Sequence, residues 1–263
     1  MKRHLWLVVN SAIVLACLLA LWQTTVLLLH IPKYILPGPL LVAEAVHARF
    51  PELMHSLLLT TVAAAMGLVS SIVVGVAIAL VFAQWRWLRQ LLYPYTILLQ
   101  TVPIVAVAPL VIMWVGTGIY SVAMIAFVIC LAPIIANTTQ GLISVEENLV
   151  HLFLMHNTTP AQILFKLRFP HAMPNLFVGI RISAGIAVMG AIIGEFFAGS
   201  SRVGQGGLGY AITYSSNQLE TDYLFALVLA ATVLGFLFFF IGMFLEWYFL
   251  HDWHESSRSK VPE

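Results

Sequence analysis

The chain has 263 residues, 61% of them hydrophobic and only 9% charged, with a formal net charge of +1. A soluble domain carries about 25% charged residues, so this composition excludes a water-soluble fold and places most side chains against lipid or other helices. The near-neutral charge also excludes nucleic acid as a partner.

A bilayer-crossing helix needs about 20 mostly apolar residues. Six segments qualify: Leu5–Leu29, Leu57–Phe82, Leu91–Val115, Ser121–Ile143, Leu176–Phe197 and Tyr223–Phe249. Alternating barrel patterning is absent, which leaves helices as the spanning solution. The fold class expected is an all-α membrane protein with six transmembrane helices.

The first segment follows Lys2-Arg3-His4, a basic start that a secretory signal would share, and Val14-Leu15-Ala16-Cys17 faintly resembles a lipoprotein cleavage site. Its apolar run continues past the roughly 7–15 residues of a signal core, so a retained span is expected. An outer segment, His30–His55, carries Leu36-Pro37-Gly38-Pro39, which breaks any helix, and Pro39 to Phe50 could form a short interfacial helix. The turn after the second span, Gln84-Trp85-Arg86-Trp87-Leu88-Arg89, mixes aromatic and basic residues as a membrane interface favours.

The third span holds Gln100-Thr101-Val102-Pro103 and then Pro109. Proline removes a backbone hydrogen bond and kinks a helix, and in lipid the freed carbonyls need neighbours, Ser/Thr side chains or water. Gln100, Thr101 and Pro103 are therefore expected to face the protein interior, either on a solute pathway or at a structural kink. The fourth span repeats the theme with Pro133 and Asn137-Thr138-Thr139-Gln140. The glycosylation acceptor pattern there is void at an inner membrane edge.

Between the fourth and fifth spans lies a long polar interruption, residues 145–175. It runs Val145-Glu146-Glu147-Asn148, His151, Asn157-Thr158-Thr159-Pro160, Leu167-Arg168-Phe169-Pro170 and Pro174. Two spans could be joined in a few residues, whereas this stretch reads as two short amphipathic helices and a turn. It suits docking of a soluble partner. Threonine capping and proline at the first helical position start the second helix at Thr159-Pro160.

The fifth span is rich in small residues, and Gly190-xxx-Gly194 allows close helix approach. It also holds Arg181 and Glu195. At about 1.5 Å per residue they lie ~21 Å apart along one helix, so each needs another partner or water. For Arg181 a structural role at the inner end is expected; Glu195, near the outer end, suits either a gate or structural hydrogen bonding. In the outer loop Gly199–Asp222, Gly204-Gln205-Gly206-Gly207-Leu208-Gly209 matches the dinucleotide fingerprint, but without a preceding strand it is only a glycine-rich packing loop.

With the N-terminus inside, the inner segments hold Lys2, Arg3, Arg86, Arg89, Lys166, Arg168, Arg258 and Lys260, and the outer ones only Lys33, Arg49 and Arg202. Eight against three puts both termini and the long loop in the cytoplasm. Cys17 and Cys130 lie in apolar runs and read as small hydrophobes rather than a disulfide or metal pair. No P-loop, zinc-protease or nucleophile-elbow motif occurs. His151, His156 and His171 share no standard metal spacing and read as solvated loop residues. Nothing in the sequence points to catalysis.

The long loop and its flanks resemble the inner-membrane permease subunits of binding-protein-dependent ABC importers, most nearly the nitrate/sulfonate/taurine group, which includes importers of pyrimidine thiamine precursors and riboflavin. That family's loop signature, E-A-A, three residues, Gly, nine residues, I-x-L-P, falls on His151-Leu152-Phe153, Asn157 and Leu167-Arg168-Phe169-Pro170. Only Pro170 is identical, with Leu167 and Phe169 conservative. Asparagine tolerates a left-handed turn, but Leu152 and Phe153 in place of alanines imply a reshaped groove in the partner or weakened coupling. Further similar segments follow the family order: Leu36-Pro37-Gly38-Pro39, Gln100-Thr101-Val102-Pro103, Ala108-Pro109-Leu110, Pro133-Ile134, Gly179-Ile180-Arg181, Gly194-Glu195-Phe196 and Gly207-Leu208-Gly209-Tyr210.

The resemblance implies a type I ABC importer permease. Residues 1–55 would be a first transmembrane helix and outer segment. Residues 56–250 would be the permease domain, with its coupling loop at 145–175, and residues 251–263 a cytoplasmic tail. It also implies a multi-pass protein of the bacterial inner membrane that binds no cofactor itself. ATP and magnesium would sit on separate cytoplasmic ATPase subunits, and an extracytoplasmic solute-binding protein and a second permease copy, a homodimer, would complete the machine. The coupling set would be His151, Leu152, Phe153, Asn157, Leu167, Phe169 and Pro170, with Gln100, Thr101, Pro103 and Glu195 on the pathway or its gate. A small organic anion such as a sulfonate, taurine or nitrate is the expected solute, and a pyrimidine or riboflavin-like vitamin precursor the alternative. A self-contained secondary transporter is the rival class, although the chain lacks the two-half symmetry common there.

Overall fold

A computed structural model describes residues 2–198 and 206–251, and among them every regular element is helical. The expected tail at 251–263, together with Gly204, Gln205 and Arg202, lies outside the described residues, apart from His251. In chain order the helices are α1 (Lys2–Leu28), α2 (Pro39–Ala48), α3 (Phe50–Gln84), α4 (Arg86–Thr101), α5 (Ile104–Val115), α6 (Ile119–Ile143), α7 (Glu147–Met155), α8 (Pro160–Ile163), α9 (Phe169–Ala198), α10 (Leu208–Asn217) and α11 (Thr221–Leu250). Four helices are long and apolar enough to cross a bilayer: α3, α6, α11 and the continuous run Pro160–Ala198. The pair α4 and α5 makes a fifth, and α1 contributes a shorter apolar stretch, Ala16–Leu28.

The centre of the bundle is the α6–α9 crossing, where glycine replaces bulk. A Cβ on Gly190 would lie 3.0 Å from Ala126 Cα, and one on Gly194 would lie 3.1 Å from Val122 Cα. The four-residue spacing on both helices lets backbones meet, which is how tight packing arises where lipid supplies no hydrophobic drive. One polar pair bridges this seam: Ser183 Oγ donates to Cys130 O at 3.2 Å. Next door, Ser71 Oγ on α3 donates to Phe127 O on α6 at 2.8 Å. On the other flank Arg181 of α9 pairs with Glu246 of α11 at 2.8 Å, and Phe177 stacks on Phe249 nearby. Glu246 is thus the partner that Arg181 requires at this depth.

Two expectations change. The third span is not a kinked rod: α4 and α5 meet at Val102-Pro103 with a 101° bend. Pro103 offers no N–H to continue the ladder and Val102 before it is extended, which completes the break, whereas Pro109 is carried inside α5 without ending it. The second short helix of the long loop is not separate either. It is the first turn of a helix that continues through one wide turn, Leu164–Arg168, into α9. In that turn Phe169 N–H bonds to Leu164 O, five residues back. The wide turn directly precedes Pro170, whose ring would otherwise press on a carbonyl four residues earlier. The helix therefore passes Pro170 and Pro174 without ending.

Candidate functional site

Two regions concentrate the polar chemistry, one at each end of the bundle. At the loop end, α7 buries none of its side chains, and its apolar residues stand in the open: Leu152 is 50% exposed and Met155 82%. His151 is exposed beside them, while Phe153 is half-buried. The turn that follows is built by local rules. Asn157 takes φ +52°, the left-handed conformation asparagine tolerates, and its N–H donates to Leu154 O. Thr158 Oγ1 donates to Phe153 O at 2.7 Å. Thr159 then caps the next helix reciprocally, its Oγ1 accepting from Gln162 N–H and its own N–H donating to Gln162 Oε1 at 2.9 Å. Beyond it Leu167, Phe169 and Pro170 are half-buried, anchoring the loop to the bundle. Arg168 Nη1 clamps the same segment to Ala83 O, a carbonyl at the C-terminal end of α3, at 2.8 Å. The coupling set thus divides into an exposed helix and a rooted stem.

Gln100, Thr101 and Pro103 were expected inside the protein, and within this chain they are exposed. The bend at Val102-Pro103 turns them outward instead of packing them on α6. Thr101 Oγ1 donates to Leu98 O within its own helix at 2.8 Å, which satisfies one of the carbonyls the break frees.

At the opposite end Glu195 is 6% exposed and holds three helices together. Its carboxylate accepts from Thr60 Oγ1 of α3 at 2.8 and 3.0 Å and from Gly209 N–H at 2.7 Å, while Leu208 N–H donates to Thr60 Oγ1 at 2.8 Å. Leu208 and Gly209 open α10, so a negative side chain and a hydroxyl oxygen cap otherwise unpaired N–H groups at a helix start. A Cβ on Gly207 would overlap the Glu195 carboxylate, and one on Gly209 would press on Ile192 O. This close approach is why glycines flank Leu208. Glu195 is a latch between α3, α9 and α10.

Around the latch a second pair closes the same corner of the bundle. Arg49, between α2 and α3, meets the Glu220 carboxylate through both guanidinium nitrogens at 2.5 and 2.8 Å and lies over the Tyr223 ring. The guanidinium holds the Glu220 carboxyl below its ordinary range, and the carboxylate raises Arg49 in turn. Sequence reasoning missed Thr60, Glu246 and the Arg49–Glu220 pair. Glu246 was accessible in principle, because an ionisable residue inside a span announces a partner; Thr60 gives no such signal. Among the described residues no cluster of His, Cys, Asp and Glu could hold a metal ion.

Comparison with known proteins agrees with this geometry. The family model for the binding-protein-dependent transport system inner membrane component matches residues 71–250. The riboflavin transport system permease protein RibX of Chloroflexus aurantiacus is 32% identical over 252 residues, covering 94% of this chain and 91% of that protein. The formylaminopyrimidine transport permease protein ThiX of Halalkalibacterium halodurans is 29% identical over 227 residues, covering 84% and 87%. Among solved structures, the inward-facing MetNI methionine ABC transporter matches with TM-score 0.55 at 20% identity, over 80% of this chain and 97% of the transporter chain, which speaks for the fold. A family model that spans most of the chain, and relatives that align nearly end to end with it, identify it as a multi-pass membrane protein of the binding-protein-dependent transport system inner membrane component family, an ABC transporter permease.

Proposed function

We propose that the chain is the permease subunit of an ATP-driven, binding-protein-dependent importer and works as a pair of identical copies. The observation that carries this reading is α7. A helix with no buried side chain, apolar residues in the open and a rigidly capped turn behind it is built to receive another protein. That partner is a cytoplasmic ATPase, which holds ATP and magnesium and performs the hydrolysis; this chain performs no chemistry. Closure of the ATPase pair pulls on Leu149–Pro170. Because α8 runs unbroken into α9, the pull reaches the α6–α9 seam and the Glu195 latch along one rigid element, as alternating access needs.

In a dimer the outward-facing Gln100, Thr101 and Pro103 meet the cleft between copies, where solute delivered by an extracytoplasmic binding protein would pass. Both termini and the 145–175 loop lie on the cytoplasmic side in this reading. The solute class favoured is a nitrogen heterocycle of the vitamin or vitamin-precursor kind, since the riboflavin-named relative is 32% identical, against 28% and 26% for relatives named for aliphatic sulfonates and taurine that also align along most of the chain. The small organic anion is the competing class.

The test is to purify the tagged chain from its native membranes and identify what accompanies it, beside an Asn157→Val/Pro170→Ala variant. A P-loop ATPase recovered with wild type and lost in the variant is expected. A chain that emerges alone and monomeric would favour a self-contained transporter. Uptake by the reconstituted assembly of labelled riboflavin against labelled taurine then separates the solute classes.

A further inference from the structure

Beside the loop stem, where the ends of α3 and α6 meet α4 and α7, lies a cavity of about 580 Å³ with a basic lining. Arg86, Arg89 and Arg168 border it together with Gln84, His151 and a single carboxylate, Glu147. Three guanidiniums against one carboxylate is an unusual concentration in a chain with 9% charged residues. Arg168 spends one nitrogen on Ala83 O, and its remaining N–H groups, with those of Arg86 and Arg89, are donors in search of oxygen. Planar guanidiniums suit the oxygens of a phosphoryl group.

A second cavity, of about 480 Å³, lies between α3, α4 and α6. Its walls are apolar: Val81, Phe82, Leu88, Leu92, Leu99 and Ile135 are among them. Along α4 the two cavities are one turn apart, from Arg89 to Leu92, or ~5 Å. Trp85 and Trp87 flank the arginines and stand 50% and 65% exposed. Tryptophan at a helix end marks headgroup depth, so the basic cavity sits where phosphates are and the apolar one where acyl chains begin.

We propose that this pair of cavities is a binding site for one anionic phospholipid, its phosphoryl headgroup held by Arg86, Arg89 and Arg168 and an acyl chain laid in the groove between α3, α4 and α6. Basic pockets between helices near a membrane surface recognise anionic headgroups in this way. Lipid binding needs neither nucleotide nor a particular solute, although α7, the helix assigned above to the ATPase, forms one wall of the cavity. Its position against Arg168 and His151 places the lipid in contact with both the stem and the exposed helix of the long loop, where its presence stiffens the segment that α9 continues.

The experiment is native mass spectrometry on the full-length chain in detergent, titrated with phosphatidylglycerol or phosphatidylcholine. Wild type is expected to retain one phosphatidylglycerol and to bind phosphatidylcholine at least tenfold more weakly. R86Q/R89Q should lose phosphatidylglycerol binding at least tenfold, while K166Q, which removes an exposed charge outside the cavity, should not. L92W fills the groove with all arginines intact and should also weaken binding, which decides the matter if the double variant does not fold. Equal retention by R86Q/R89Q, or equal binding of phosphatidylcholine, overturns the proposal. So does displacement of the lipid by soluble glycerol phosphate at matching concentration, which would mark a free-anion site. Loss of an accompanying ATPase from R86Q/R89Q with lipid binding unchanged would assign the arginines to a protein contact and likewise overturn it.

Discussion

The two ends of the bundle solve opposite problems. At the Glu195 end carboxylate, hydroxyl and backbone N–H close a loop of bonds linking α3, α9 and α10. At the α7 end the helix buries nothing, and its leucines and methionine face outward. One end is tied by its own residues, and the other carries the exposed helix assigned above to a partner. A continuous helical run, Pro160–Ala198, leads from the turn behind α7 to Glu195, so in that reading a force applied at α7 is carried toward the latch. Stability is expected to reside in the latch and partner dependence in the loop, and substitutions can separate the two.

The largest effect should follow Glu195→Ala, which strands the Gly209 N–H in a buried site, while Thr60 Oγ1 keeps Ser56 O as an acceptor. Leaving such a group unpaired costs about 1–3 kcal/mol and the emptied volume adds to it, so a loss of ~2–4 kcal/mol is expected in thermal unfolding of the detergent-solubilised protein. Glu195→Gln, which keeps the acceptor oxygen, should retain part of it. A loss below about 0.5 kcal/mol, the range of an ordinary surface change, would demote the latch to an incidental contact.

Next is the Arg181–Glu246 pair. Either alanine substitution leaves a charge without its partner at membrane depth, costing ~1–3 kcal/mol. A double-mutant cycle should show the two losses far from additive. Additive losses would mean that each residue finds water or lipid headgroup by itself.

At the open end the comparison predicts a local cost with a large functional one. Asn157 holds φ +52°, so Asn157→Gly should be neutral, while Asn157→Val should cost about 1–2 kcal/mol at the turn. Global unfolding should barely move, whereas recovery of the partner ATPase should fall for valine and not for glycine. Equal recovery from both would show that the turn's geometry does not matter.

The smallest effect belongs to Arg49–Glu220, which is partly exposed and worth about 0.2–1 kcal/mol. Arg49 lowers the Glu220 carboxyl below its ordinary value of 4.5. The pair's contribution is thus fully present above that value and is lost as pH falls through the lowered one. Glu220→Gln should remove this acid dependence, read as the melting temperature between pH 6 and pH 3.

How much of this was legible follows from the range of each interaction. The turn at Asn157 and the Thr159-Pro160 start are local chemistry, and the structure forms both as the sequence reads. The Gly190-xxx-Gly194 seam is also local in origin, needing only an opposing helix. Glu195 announces a need but not its answer, because Thr60 lies 135 positions away and Arg49 lies 171 from Glu220. Two expectations at prolines fail in opposite directions. Pro103 breaks a span that a kink is expected to preserve, because Val102 before it is extended. The second short helix of the loop is expected to stand apart from the fifth span, yet one wide turn lets it run past Pro170. Proline reports a missing hydrogen bond; what the neighbouring backbone does about it is set by tertiary packing.

The most direct test of the contrast is the chemical accessibility of α7. In a Cys17→Ser background, with Cys130 buried, Leu152→Cys would be labelled with a water-soluble maleimide in the purified chain alone and after assembly with its ATPase. Rapid labelling of the lone chain and at least tenfold protection in the assembly are expected. Equal labelling in both states would contradict the assignment of the exposed helix to a partner.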